Sequence, residues 1–195
     1  MTFTKTTKLL TVAAATLALT AGVAQAQTQA VTATVTVLNT LTLAAASNLN
    51  WGTIAAVGDT GQTASLIMGT DGILLAPTTT GGAAVIAVID DAAATAGQIT
   101  VADGADGAVL NVEINNVVDP TDGTDSFTLA GFNTSYNGAA DAAQLAATPF
   151  TVTYDSAFGG GTNTLDIGAS ITTVDPSGAY GDGVYAGSFD VVFSY

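Results

Sequence analysis

The sequence predicts an all-β protein, and three features carry that reading. Both ends of the chain beyond residue 26 alternate apolar and polar residues with a period of two. Short alternating runs recur between those ends, and clusters of Gly and Asp divide the runs. A period of two sends alternate side chains to opposite faces of a strand. Many short strands separated by such turns indicate a sandwich or barrel.

From Val31 the odd positions read Val31, Ala33, Val35, Val37, Asn39, Leu41 and Leu43, while the even positions are mostly Thr. This stripe is longer than the five or six residues of an ordinary strand. Asn39 divides it into two halves, residues 31–37 and 41–43. Residues 83–89 form a continuous apolar run, read as a strand buried on both faces. Further alternating runs are Leu110, Val112 and Ile114; Phe127 and Leu129; Phe150, Val152 and Tyr154; and Leu165, Ile167, Ala169 and Ile171. Residues 139–147 form the one helical patch, ended by Pro149. At the end of the chain Tyr185, Gly187, Phe189, Val191, Phe193 and Tyr195 share one face, a composition suited to a half-buried pleated strand. Turn clusters lie at residues 58–61, 80–82, 103–107, 119–125 and 159–161.

The first 26 residues have a different purpose. Lys5 and Lys8 precede an apolar stretch from Leu9 to Val23, and Ala24-Gln25-Ala26 then offers small residues at the two positions a signal peptidase reads. That order is a secretory signal peptide. The stretch falls short of the ~20 apolar residues that span a bilayer. The expected organisation is therefore a signal peptide at 1–26, an N-terminal extension at 27–37 and one β-domain at 38–195. The expected location is the exterior or cell surface, reached through the periplasm, with no membrane insertion after cleavage.

Removing the signal peptide removes every Lys and Arg; the chain has 16 Asp and Glu and no His or Cys. Nucleic acid is excluded as a partner, because nothing neutralises phosphates. No ordinary nucleophile–base pair or oxyanion clamp can be assembled, so the chain reads as no enzyme. The acids lie mostly in Gly-rich turns, where Asp serves turn geometry. Asp119, Asp122 and Asp125 are weak candidates for a calcium site, since calcium takes oxygen ligands. The expectation is no cofactor, with acidic surface turns preferred over a metal site. The single Trp, Trp51, reads as core packing.

Three segments together carry a family resemblance. They are Leu49-Asn50-Trp51-Gly52-Thr53-Ile54, Leu165-Asp166-Ile167-Gly168-Ala169, and the closing stretch from Gly183 through Tyr185, Gly187, Phe189 and Val191 to Tyr195. They resemble the secreted bacterial family of domain of unknown function 4402, with Trp51 in place of the usual Phe. The resemblance brackets the chain beyond residue 26 and leaves roughly residues 70–150 unmatched. That family is similar to chaperone–usher pilins of the spore-coat-U-like type. The resemblance implies an immunoglobulin-like or pilin-like β-sandwich with an N-terminal extended strand. It also implies a structural subunit of an extracellular filament or fimbria, polymerising by donor-strand complementation. Val31, Ala33, Val35 and Val37 would be the donor strand. Tyr185, Phe189, Val191, Phe193 and Tyr195 would border the groove it enters. The implied partners are copies of the chain itself, a periplasmic chaperone and an outer-membrane usher. The alternative is a monomeric secreted or surface adhesin-like binding module, with or without calcium.

The exported protein is expected to begin at or within a few residues of Gln27. Its intact mass checks this: material that retains Lys5 and Lys8 contradicts the reading.

Overall fold

A computed structural model describes residues 34, 40–174 and 178–195. No described helix is long and apolar enough to cross a membrane. The described chain is an all-β sandwich of antiparallel strands. In chain order these are β1 (Thr42–Ser47), β2 (Thr53–Gly58), β3 (Ala64–Ile67), β4 (Thr78–Thr79), β5 (Val85–Asp90), β6 (Gly97–Ala102) and β7 (Val109–Thr121). There follow β8 (Phe127–Tyr136), β9 (Ala142–Gln144), β10 (Phe150–Thr153), β11 (Thr162–Thr173), β12 (Gly178–Ala179) and β13 (Ala186–Ser194).

The largest sheet is built around β11. One edge of β11 pairs with β8 from Leu165 to Thr173. Its other edge is shared: residues 162–167 pair with β6 and residues 170–172 with β3. Gly168 lies where the partner changes. It is buried, and a Cβ there would run directly into the Met68 carbonyl. Any side chain would therefore push β3 away, which gives a physical reason for glycine at this position. β1 continues this sheet beyond β6, β4 beyond β3 and β9 beyond β8. Two three-stranded sheets, β10-β7-β13 and β12-β2-β5, account for the other described strands.

The core draws on all three sheets. Val112 and Ile114 of β7 meet Leu165, Ile167 and Ile171 of β11, with Phe127, Leu129 and Phe132 of β8, Leu66 of β3, Ala56 of β2 and Ile86 of β5. These positions alternate along their strands with polar or exposed ones, as a half-buried pleat requires. A smaller cluster of Val101, Leu110 and Tyr154 closes one end, with Leu41 and Phe193 packed on it.

Two expectations need correction. Residues 139–147 are not helical. Asn137 and Gly138 both have positive φ (54° and 72°), and the Ala139 N–H donates to the Tyr136 carbonyl at 3.0 Å. That is the tight hairpin turn Asn-Gly favours. It returns the chain so that Ala142 pairs with Thr134 and Gln144 with Phe132. Residues 83–89 are not buried on both faces either. In β5 only Ile86 is buried, while Val85 is 46% and Ile89 67% exposed. Among the described strands β5 pairs with β2 alone, so it is an edge strand there, with one face outward.

A buried polar knot fastens the far end of β11. Asn163 is fully buried. Its Oδ1 accepts from Asn137 Nδ2 at 2.7 Å and from the Asp155 N–H at 3.0 Å; its Nδ2 donates to the Asp155 carbonyl at 2.9 Å. A buried group stripped of its partner costs ~1–3 kcal/mol. Asn163→Ala is therefore expected to lose about 2–3 kcal/mol of stability in urea denaturation, whereas Asn111→Ala, on the exposed face of β7, should change stability by less than about 0.5 kcal/mol.

Candidate functional site: an open groove beside the C-terminal strand

The last strand has a partner on one side only. β13 pairs with β7 from Ala186 to Ser194, and no described strand pairs with its other edge. β2 pairs with β5 along one edge; on its other edge, among the described residues, β12 covers Val57 and Gly58 and the Tyr180 N–H meets the Ala56 carbonyl. Between these two strands lies a groove of about 1190 Å³. Leu129, Ile167 and Ile171 of the large sheet are among its lining residues, as are Trp51 and Ile54 on the β2 side and Tyr185, Phe189 and Val191 on the β13 side.

Local geometry holds the β2 wall open. The Asn50 N–H and carbonyl each bond to Thr95 at 2.9 Å, and the Asn50 side chain accepts from the Gly52 N–H at 2.9 Å. Gly52 has φ +73°, and a Cβ there would strike the Asp90 carbonyl. Only glycine fits that left-handed position so close to another backbone. The turn fixes Trp51 between the main core and the groove.

Aromatic rings brace the other end. Phe127 stacks on Tyr180 with centroids 4.5 Å apart and meets Tyr185 edge-on at 5.2 Å. The Tyr180 hydroxyl donates to the Ser126 carbonyl at 2.9 Å and accepts from the Val174 N–H at 2.8 Å. The Tyr180 N–H donates to the Ala56 carbonyl at 3.0 Å. Phe189 packs edge-on against Phe132 at 5.1 Å.

The acidic turn serves this lip of the groove. Asp119 Oδ1 accepts from the Leu129 N–H at 2.7 Å. Asp122 Oδ1 accepts from the N–H groups of Thr124 and Asp125, both at 2.8 Å. The N–H groups of Asp125 and Thr124 hold the Asp122 carboxyl below the ordinary carboxylate range. Asp125 Oδ2 accepts from the Gly181 N–H at 3.1 Å. Among the described residues no three acidic groups come together in a way that could hold a metal ion.

Of the residues singled out in the sequence, Tyr185, Phe189 and Val191 line the groove. Phe193 instead packs on both core clusters, and Tyr195 is 47% exposed. Val31, Ala33, Val35 and Val37 lie outside the described residues. Sequence reasoning took Trp51 for core alone and missed its second role as groove wall. It also missed Tyr180, whose hydroxyl ties two loops together. The one available signal was the Trp51-Gly52 pair just before an alternating run, because a glycine there marks a turn that can orient its neighbour. No protein-family model matches the chain, and no curated protein or solved structure matches it.

Loss of hydration, and then the nearby Asp122 and Asp125 carboxylates, push the Tyr185 phenol from 10 up to about 12. The folded state thus keeps a proton that the unfolded chain releases near pH 10. Stability should fall as pH rises from 10 through 12, because the unfolded state then binds fewer protons. Burial likewise pushes the Tyr136 phenol up to about 12, so ultraviolet titration of the folded protein should show two phenols ionising near 12, and Tyr185→Phe should remove one of them.

Proposed function

We propose that this protein is a structural subunit of an extracellular filament, in which residues 27–37 of one copy complete the sandwich of the next. The observation that supports it is the groove, where an edge of β13 and most of an edge of β2, neither paired by another described strand, flank an apolar floor. An exposed edge of that kind recruits another strand, with backbone bonds giving affinity and alternate side chains filling pockets. The groove also exceeds the ~300–1,000 Å³ usual for small-molecule clefts.

Residues 27–37 have the chemistry such a groove needs. They alternate Val and Ala with Thr from Val31 onward, favour extended backbone, and carry no charged side chain to set against an acidic body. Burying each Val yields roughly 1.5–3 kcal/mol before the ordering of the segment is subtracted. In this reading a periplasmic chaperone shields the open edge during export and an outer-membrane usher orders the additions. The competing reading, a monomeric adhesin-like module, has the groove filled from within the same chain.

Negative-stain microscopy and sedimentation of the exported protein separate the two. Wild-type protein is expected to form fibres. Val35→Asp places an unpaired carboxylate in the apolar groove, which is strongly unfavourable. That variant, or deletion of residues 27–37, should abolish fibres while circular dichroism keeps its β signal. Unfolding on deletion would assign the segment to its own sandwich. Fibres that persist without it would rule the proposal out.

A further inference from the structure

The turn between β8 and β9 contains the single Asn-Gly pair of the chain, Asn137-Gly138. Such a pair is chemically unstable in an open chain, because glycine has no side chain to shield its backbone nitrogen. That nitrogen attacks Cγ of the asparagine. A bond forms between the backbone nitrogen and Cγ, the C–N bond of the carboxamide breaks, and the nitrogen's proton leaves with the amide as ammonia. Water then opens the cyclic imide at either carbonyl, giving aspartate or isoaspartate. For any of this Cγ must swing toward Gly138, and the carboxamide must leave whatever holds it.

In the fold both ends of that carboxamide are held. Asn137 Oδ1 accepts from the Thr164 N–H at 2.9 Å, and its Nδ2 donates to the buried Asn163 Oδ1 at 2.7 Å. The Asn137 N–H itself donates to the Thr164 carbonyl at 2.9 Å. The reaction therefore waits for this corner to open, and the opening equilibrium sets its rate in the native state.

The same contacts make the product unfavourable. An ionised aspartate at 137 is an acceptor only. One oxygen keeps the Thr164 N–H, but the other faces Asn163 Oδ1. Turning the Asn163 amide over only moves the mismatch, setting its oxygen against the Asp155 carbonyl that its Nδ2 now meets at 2.9 Å. No Lys, Arg or His among residues 9–195 can neutralise the new charge. Isoaspartate adds a methylene to the backbone of the turn, which disturbs the pairing of Thr134 with Ala142.

We infer that Asn137-Gly138 is a deamidation site that folding closes: Asn163 and Thr164 hold the carboxamide away from Gly138, and a chain already deamidated there cannot rebuild the knot. The inference uses no residue of the groove, so it holds whether or not copies assemble.

Full-length exported protein is incubated at mildly alkaline pH, native or in guanidinium chloride, and deamidation at residue 137 is followed by mass mapping of peptic peptides. The native protein should react at least about a hundredfold more slowly than the denatured chain. Asn163→Ala removes the acceptor of Asn137 Nδ2 and should speed the native reaction about tenfold, the effect on opening of one net hydrogen bond. Ile86→Val, buried in β5 and outside the knot, tests for general loosening and should leave that rate within about twofold. Asn137→Asp, the direct product, should unfold at a lower urea concentration than wild type. Native protein that deamidates as fast as the denatured chain overturns closure by the fold. Equal acceleration by Asn163→Ala and Ile86→Val assigns protection to global stability and overturns the role of the knot. Asn137→Asp as stable as wild type overturns the effect claimed for the product.

Discussion

A strand edge is a row of backbone donors and acceptors that must all be matched, and no described strand matches that row on the outer edge of β13, which lies beside apolar side chains. The groove persists because each wall is fixed from behind. β13 is held by nine residues of strand against β7. β2 is held by β5, by β12 and by the Tyr180 N–H on the Ala56 carbonyl. Asn50 is bridged to Thr95, and Gly52 seats its backbone against Asp90. With both walls anchored elsewhere, collapse of the groove would break hydrogen bonds that the sheets already make. Phe189 and Val191 consequently remain only partly buried while packing on the core.

The same chain has to build its turns without cations. No Lys, Arg or His follows Lys8, so the usual side-chain ion pairs cannot form among residues 9–195. The carboxylates accept backbone N–H groups instead. Asp59 takes the Ala83 N–H, Asp71 that of Ile73, Asp90 that of Ala92 and Asp155 that of Ala157. Asp106 takes the Ser156 N–H, which lowers its carboxyl pKa. Asp and Asn favour turns for this reason. At Asp119, Asp122 and Asp125 the same device ties the β7–β8 turn to Leu129 and to Gly181 at the groove's lip. Each of these three carboxylates accepts at least one backbone N–H.

This explains which parts were legible in the sequence. Leu110, Val112 and Ile114, like Leu165, Ile167 and Ile171, announce buried strand faces because period two is a local property and these strands lie at the centre of the sheets. Residues 139–147 misled because Ala and Gln favour helix, whereas the deciding signal was the Asn137-Gly138 turn just before them. Residues 83–89 misled because apolar composition cannot report how many neighbours a strand has, and β5 has only β2. The aromatic face ending at Tyr195 pointed to the β13 wall. The opposing wall did not show, because β2 and Trp51 approach β13 only through the tertiary arrangement of separate sheets.

An unpaired edge is also a hazard, since any extended chain can add to it. Here the charge distribution narrows the choice. Beyond the predicted cleavage site the first charged residue is Asp59, and the 16 acids are spread over the body with no basic residue among them. Two bodies approaching face to face therefore bring like charges together. At physiological ionic strength screening acts over ~8 Å, so that repulsion is felt where surfaces would touch. The uncharged stretch ahead of Asp59 is the part of a second copy that can enter without it. In the proposed assembly, acidity does not oppose polymerisation in general. It penalises body-to-body contact and leaves strand entry unpenalised, so one charge pattern favours both solubility of the subunit and selectivity of its open edge.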